Sequence, residues 1–160
     1  MNIAIILEKE GKSKEAFDNY ESALKVKPNE ARIHHNLGIN MKRAGMLEHA
    51  LNYYRSAMDL EPDNSVFLYN TGVLHNIKQE FPEAIDLLEK SIENNRENVY
   101  AYLALGDAYE RQDQPQKAVY VYRDLMSLNV NVHGLKEKLS ELETKIKYQR
   151  DAAQAEQAAL

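Results

Sequence analysis

Five histidines and a column of asparagines are the side chains whose type and spacing could do chemistry in this sequence. His34 and His35 are adjacent, so on a helix they point about 100° apart and cannot share one metal ion as residues i and i+4 can. His49, His75 and His133 stand alone. Asn2, Asn36 and Asn70 recur every 34 residues, and a carboxamide offers both a donor and an acceptor to a peptide backbone. That chemistry recognises a partner; it does not break bonds. There is no HExxH, GxSxG, Walker-type or dinucleotide-binding glycine loop, and the many carboxylates fall mostly at positions expected on solvated helix surfaces. No catalytic residue, metal ligand or cofactor is assigned, and the chain reads as a non-enzyme.

Composition narrows the partners. The 160 residues are 44% apolar and 28% charged, enough to bury a core in one unit. A net charge of −5 opposes nucleic acid or an anionic membrane as the partner, because both require a basic stripe. No apolar run approaches the roughly 20 residues that cross a bilayer, and Met1 to Glu10 lacks a basic region before its short Ile3 to Leu7 stretch. Without cysteine there can be no disulfide, thiolate nucleophile or cysteine-held metal, and a cytoplasmic location is the expectation.

The elements that must position these side chains follow from the period. Gly38, Gly72 and Gly106 are 34 residues apart, as are Ala16, Ala50, Ala84 and Ala118, and again Pro28 and Pro62. Each alanine is followed four residues later by a large side chain, Tyr20, Tyr54, Leu88 or Tyr122. Three columns in one register divide the chain into units at 31–64, 65–98 and 99–132, preceded by a partial unit over 1–30. The chain thus reads as a segment of a longer array. Gly11 and Gly45 suit the left-handed turn that ends a first helix, while Pro82 and Pro115 suit the first turn of a second one. No sustained period-two alternation marks a strand. The expected fold is all-α: helical hairpins stacked into a curved solenoid, since one hairpin cannot bury both of its faces.

These residues resemble the tetratricopeptide repeat, whose 34-residue pattern runs from a large residue through Leu-Gly, an aromatic, Ala and a further aromatic to a closing Pro. The fourth unit fits best, with Tyr102, Leu105, Gly106, Tyr109, Ala118 and Tyr122; the second supplies His34, Leu37, Gly38, Met41, Ala50, Tyr54, Ala57 and Pro62. Arg96 and Val130 stand where the closing proline is expected, Leu125 replaces a small residue, and Thr71 replaces the leucine before glycine. Residues 133–160 resemble the extra helix that caps such arrays, with Leu135, Leu139, Leu142 and Ile146 on one stripe and Glu141–Lys145 and Glu143–Lys147 as i,i+4 pairs. The rival reading of that stretch, a coiled-coil dimer, weakens where Gln149 and Glu156 would enter the seam.

The resemblance implies a right-handed α-α superhelix in which the first helix of each unit lines a concave groove holding a protein or linear peptide, with the chain acting as adaptor or scaffold. Carried over column by column, the implied contacts are Asn2, Asn36 and Asn70 as a carboxamide ladder, His35, Tyr69 and Leu103 beside it, Ile5, Ile39, Val73 and Asp107 as the floor, and Tyr100 near the entrance. An asparagine before Leu-Gly serves local helix contacts equally well, and Ala104 ends the ladder. Some family members clamp a terminal carboxylate with lysines and asparagines. Here the matching positions are His35, Ile39, Asn70, Tyr100 and Ala104, so that ligand is not expected. The alternative function is a structural segment that mediates self-association, with copies pairing through the incomplete first unit or the C-terminal helix.

Overall fold

The computed structural model describes residues 2–158, apart from the side chains of residues 2, 5, 8, 9 and 158. Among the described residues the chain forms nine helices and no strand. They are α1 (Asn2–Lys9), α2 (Ser13–Val26), α3 (Ala31–Arg43), α4 (Leu47–Leu60), α5 (Ser65–Lys78), α6 (Phe81–Asn94), α7 (Val99–Arg111), α8 (Pro115–Ser127) and α9 (Leu135–Ala158). Consecutive helices pack on each other along the whole chain, and the chief contact between non-consecutive helices joins α5 to α7, as expected for an all-α superhelix of stacked hairpins.

Local chemistry sets the helix ends. Asn64 caps α5 by accepting from the amides of Val66 and Phe67 at 3.1 and 3.4 Å, and Asn98 caps α7 by accepting from Ala101 at 3.3 Å. Gly45 closes α3 in the left-handed conformation, with φ of 75°. In the next two units non-glycine residues, Gln79 and Asp113, take the equivalent turn with φ of 63° and 53°. The turn is therefore dictated by hairpin packing and does not require glycine at every repeat.

Small residues set how closely the two helices of a hairpin approach. Ala50, Ala84 and Ala118 are fully buried, and Gly38, Gly72 and Gly106 lie directly under Tyr54, Leu88 and Tyr122. Ser91, in the column shared by Ala23 and Ala57, is also fully buried, and its hydroxyl donates to the Ser65 carbonyl at 2.8 Å. Ser91→Ala is expected to lower stability by about 1 kcal/mol, the usual net worth of one such bond; an unchanged denaturation midpoint would show that the bond contributes nothing. Leu125, the bulky exception in that column, is fully buried against Leu135 and Leu139 and so fills the space where α9 arrives.

Leu135, Leu139 and Leu142 are buried and Ile146 is half-buried, so the first half of α9 rests on α8. The i,i+4 pairs expected within α9 give way to partners on the preceding hairpin: Glu143 accepts from Arg123 at 2.7 Å, and Lys145 reaches Asp113 at 3.4 Å. Lys138 similarly reaches Glu110 at 2.8 Å. Cross-helix pairing prevails because docking brings those opposite charges close without further ordering of α9. Residues 147–157 continue as helix with every residue exposed.

Candidate functional site

The odd-numbered helices α3, α5 and α7 lead their hairpins and meet one another directly. Between α3 and α5, the imidazole of His35 stacks on Phe67, with centroids 4.7 Å apart and planes 28° from parallel. Between α5 and α7, Asn76 donates to the Ala104 carbonyl at 2.9 Å, while the Arg111 guanidinium donates back to the Asn76 carbonyl at 3.1 Å. These contacts lock the relative register of the helices from which the implied groove residues project.

On this framework the sequence-predicted residues fall into two groups. Asn36, Ile39, Tyr69, Asn70, Val73 and Leu103 are half-buried, Tyr100 is 70% exposed, and Asp107 is exposed beside Arg111 at 3.8 Å. Tyr69 and Tyr100 are close enough to influence each other: the Tyr69 hydroxyl has its pKa raised first by burial and then by Tyr100. Val66 and Ile77, also on α5, are about half exposed. His35 belongs to the packing instead. It is 7% exposed, lies 5.5 Å from Tyr54 as well as against Phe67, and burial lowers its pKa to about 4. Asn2 lies in α1, but its side chain and that of Ile5 fall outside the described residues.

The carboxamides also have local partners. Asn70 donates to the Val66 carbonyl one turn earlier at 2.9 Å, and Asn36 lies close enough to the His35 ring to favour its protonated form, against the larger effect of burial. Each contact occupies only part of the amide group, which has two donor hydrogens and an acceptor oxygen. Of the cations on the leading helices, Lys42 is half-buried, and its pKa is lowered by burial and then by Arg43. Arg111 stacks over Phe81 at 4.8 Å in addition to its bond to Asn76.

The histidines have structural partners. His34 Nε2 lies 2.8 Å from the Pro28 carbonyl, and His75 Nδ1 lies 2.7 Å from Glu80. Among the described residues no three His, Asp or Glu side chains gather as a metal site, and no helix is long and apolar enough to cross a membrane.

Sequence reasoning missed two kinds of residue. Asn40 and Asn76 are buried amides that bridge hairpins, Asn40 by donating to the Ser13 carbonyl at 3.0 Å. No repeated column marks them, since each serves one junction only. Tyrosine–glutamate pairs were also missed: Tyr53 donates to Glu21 at 2.8 Å, Tyr109 to Glu89 at 2.6 Å and Tyr122 to Glu110 at 2.7 Å. Burial, reinforced by the glutamate, pushes the Tyr53 pKa up to about 12. The signal available for the first two of these pairs was the recurrence of Glu21 and Glu89 in one column.

Comparison with known proteins agrees with this geometry. Models of the tetratricopeptide repeat family match residues 1–30, 42–95 and 87–120. No curated protein sequence matches the chain. Among solved structures, MamA residues 41 to the end from Desulfovibrio magneticus RS-1 superposes with a TM-score of 0.82 at 19% identity, covering 96% of this chain and 86% of that one. PilF of Pseudomonas aeruginosa gives 0.83 at 20% identity, with 96% and 70% covered. The first such domain of Spaghetti (RPAP3), bound to an HSP90 peptide, gives 0.68 at 20% identity, with 73% and 93% covered. These likenesses extend to the fold, and with three family matches spread from residue 1 to residue 120 they establish that the chain belongs to the tetratricopeptide repeat family.

Proposed function

We propose that the leading helices α3, α5 and α7 form a trough that holds an extended peptide segment of a partner protein, and that the chain serves as an adaptor or scaffold, not as an enzyme. The observation that carries this reading is the large apolar surface kept in water on those helices: Tyr100 at 70% exposure, with Val66 at 48% and Ile77 at 49%. Exposed clusters of this kind mark interaction sites. Asn36 and Asn70 supply main-chain bonding, and Tyr69, Val73, Tyr100 and Leu103 supply the anchor for an apolar ligand side chain. Ile39 and Asp107 extend the same lining toward its ends. A reducing cytoplasm suits a chain with no cysteine.

One solved relative in fold is described as holding an HSP90 peptide. The lysines that clamp a terminal carboxylate in such domains are replaced here by His35, Tyr100 and other uncharged residues, so an internal, apolar-anchored segment fits this trough better than an acidic C-terminus.

The test selects a binding peptide from a displayed random library on the wild-type protein and measures its affinity by fluorescence anisotropy. Asn36→Ala with Asn70→Ala should weaken it by about 2 kcal/mol, roughly thirtyfold, if each carboxamide makes one main-chain bond. Thermal melting should change little. Equal affinity for the double variant and for Tyr100→Ser would reject the trough.

A further inference from the structure

On the side of the second helices, a cavity of about 590 Å³ opens between α6 and α8. Its floor is Ile92, Tyr102, Leu105 and Val121, and Glu93 and Asp124 stand on its rim. The cationic neighbour Lys117 is engaged over the Tyr109 ring at 5.3 Å. The opening is therefore apolar within and predominantly acidic at its edge.

The fold contains a template for what fills such a groove. Two repeats earlier, between α2 and α4, Tyr53 occupies the column of Val121 and donates its hydroxyl to Glu21 at 2.8 Å. Glu21 is in turn the column partner of Glu89, which lines the α6–α8 cavity. Along that column the side chain shrinks from Tyr53 through Leu87 to Val121, and the cavity lies where the smallest of the three stands. Glu89 already accepts from Tyr109 at 2.6 Å, but a carboxylate has capacity for a second donor.

We propose that this groove receives Tyr148 of a second copy of the chain. Tyr148 is 71% exposed on the part of α9 that runs free beyond Ile146, a projection of about 16 Å at helical rise. Lys147 lies beside it, opposite in charge to Glu93 and Asp124 on the groove's rim, while Lys145, one turn before it, is already held by Asp113 at 3.4 Å. Ala152 and Ala155 share the Tyr148 face and leave room for α9 to lie along the groove. Tail and groove are different surfaces, so each copy carries one of each, and the contact either closes into a ring or propagates as a chain. The peptide trough on the leading helices is not used, so this contact stands or falls independently of the function proposed above.

Sedimentation velocity on the full chain, from micromolar to near-millimolar concentration at low salt, tests it. The wild type should self-associate, and Tyr148→Ser and Val121→Tyr should each weaken association at least about tenfold. The second substitution places beside Glu89 the side chain that, two repeats earlier, reaches Glu21 at 2.8 Å. Mixing the two variants should restore one contact, because an intact tail then meets an intact groove, and should give a heterodimer that grows no further. Circular dichroism melts check folding, and Glu93→Lys on the exposed rim serves if Val121→Tyr fails to fold. A wild type that stays monomeric throughout overturns the proposal and leaves the groove to another protein's aromatic residue. Association that survives Tyr148→Ser, or that the mixture does not restore, overturns it equally.

Discussion

Tyr54→Ala is expected to destabilise the chain by about 3–5 kcal/mol, as for other fully buried large aromatics cut back to alanine. Tyr54 is 0% exposed and packs over Gly38, with His35 5.5 Å away and Ala50, Leu51 and Leu74 in the same cluster. A Cβ built on Gly38 would collide with the Tyr54 ring, so Gly38→Ala alone should lose about 1–3 kcal/mol to overpacking, even though alanine is the better helix former. In the Tyr54→Ala background the ring is gone, and the Ala50 carbonyl oxygen, 3.2 Å from the added Cβ, is the close contact that remains. The same Gly38→Ala change should then cost at least about 1 kcal/mol less than it does beside Tyr54, helped by the intrinsic preference of a helix for alanine over glycine. Urea denaturation of the four proteins in this double-mutant cycle measures the coupling. Additive effects would show that the glycine column is not there to admit the ring.

Acid should weaken the fold through His35. Its ordinary pKa of 6.5 is lowered to about 4, chiefly by burial, with the Lys42 charge acting in the same direction and the neighbouring Asn36 side chain opposing. Below pH 6.5 the unfolded chain takes up a proton that the folded chain refuses, so this contribution to stability is fully present above pH 6.5 and is lost as pH falls toward 4. The loss amounts to about 1.4 kcal/mol per pH unit and about 3 kcal/mol in all. His35→Phe keeps a ring against Phe67 and removes the titration. Denaturation midpoints followed from pH 7 to pH 4 should therefore fall more steeply for the wild type than for the variant. Parallel curves would mean that His35 is protonated as readily folded as unfolded.

Much of the fold was legible because the repeat turns tertiary neighbours into sequence columns. Gly38 with Tyr54, Gly72 with Leu88 and Gly106 with Tyr122 are each 16 residues apart, and that constant spacing exposed both the hairpin and its close approach. Residues on the leading helices could be assigned to one side in the same way. His35 shows where this reasoning stops. Its column pointed to the trough, but Phe67 from the next hairpin leans across and buries it. How far one hairpin leans over the next depends on side-chain volumes at a single junction, which no column reports.

By itself, the order of residues determined the helical class, the 34-residue period and the small-over-large packing, because each is written in local spacing that recurs. Only the folded chain decided which asparagines bridge hairpins and which face solvent, that Glu143 and Lys145 pair away from their own helix, and that Tyr53 reaches across to Glu21 while Val121, in the same column, leaves the space beside Glu89 open. Those outcomes join residues on different helices, up to 32 positions apart, through contacts that exist only once stacking has set the distance between them.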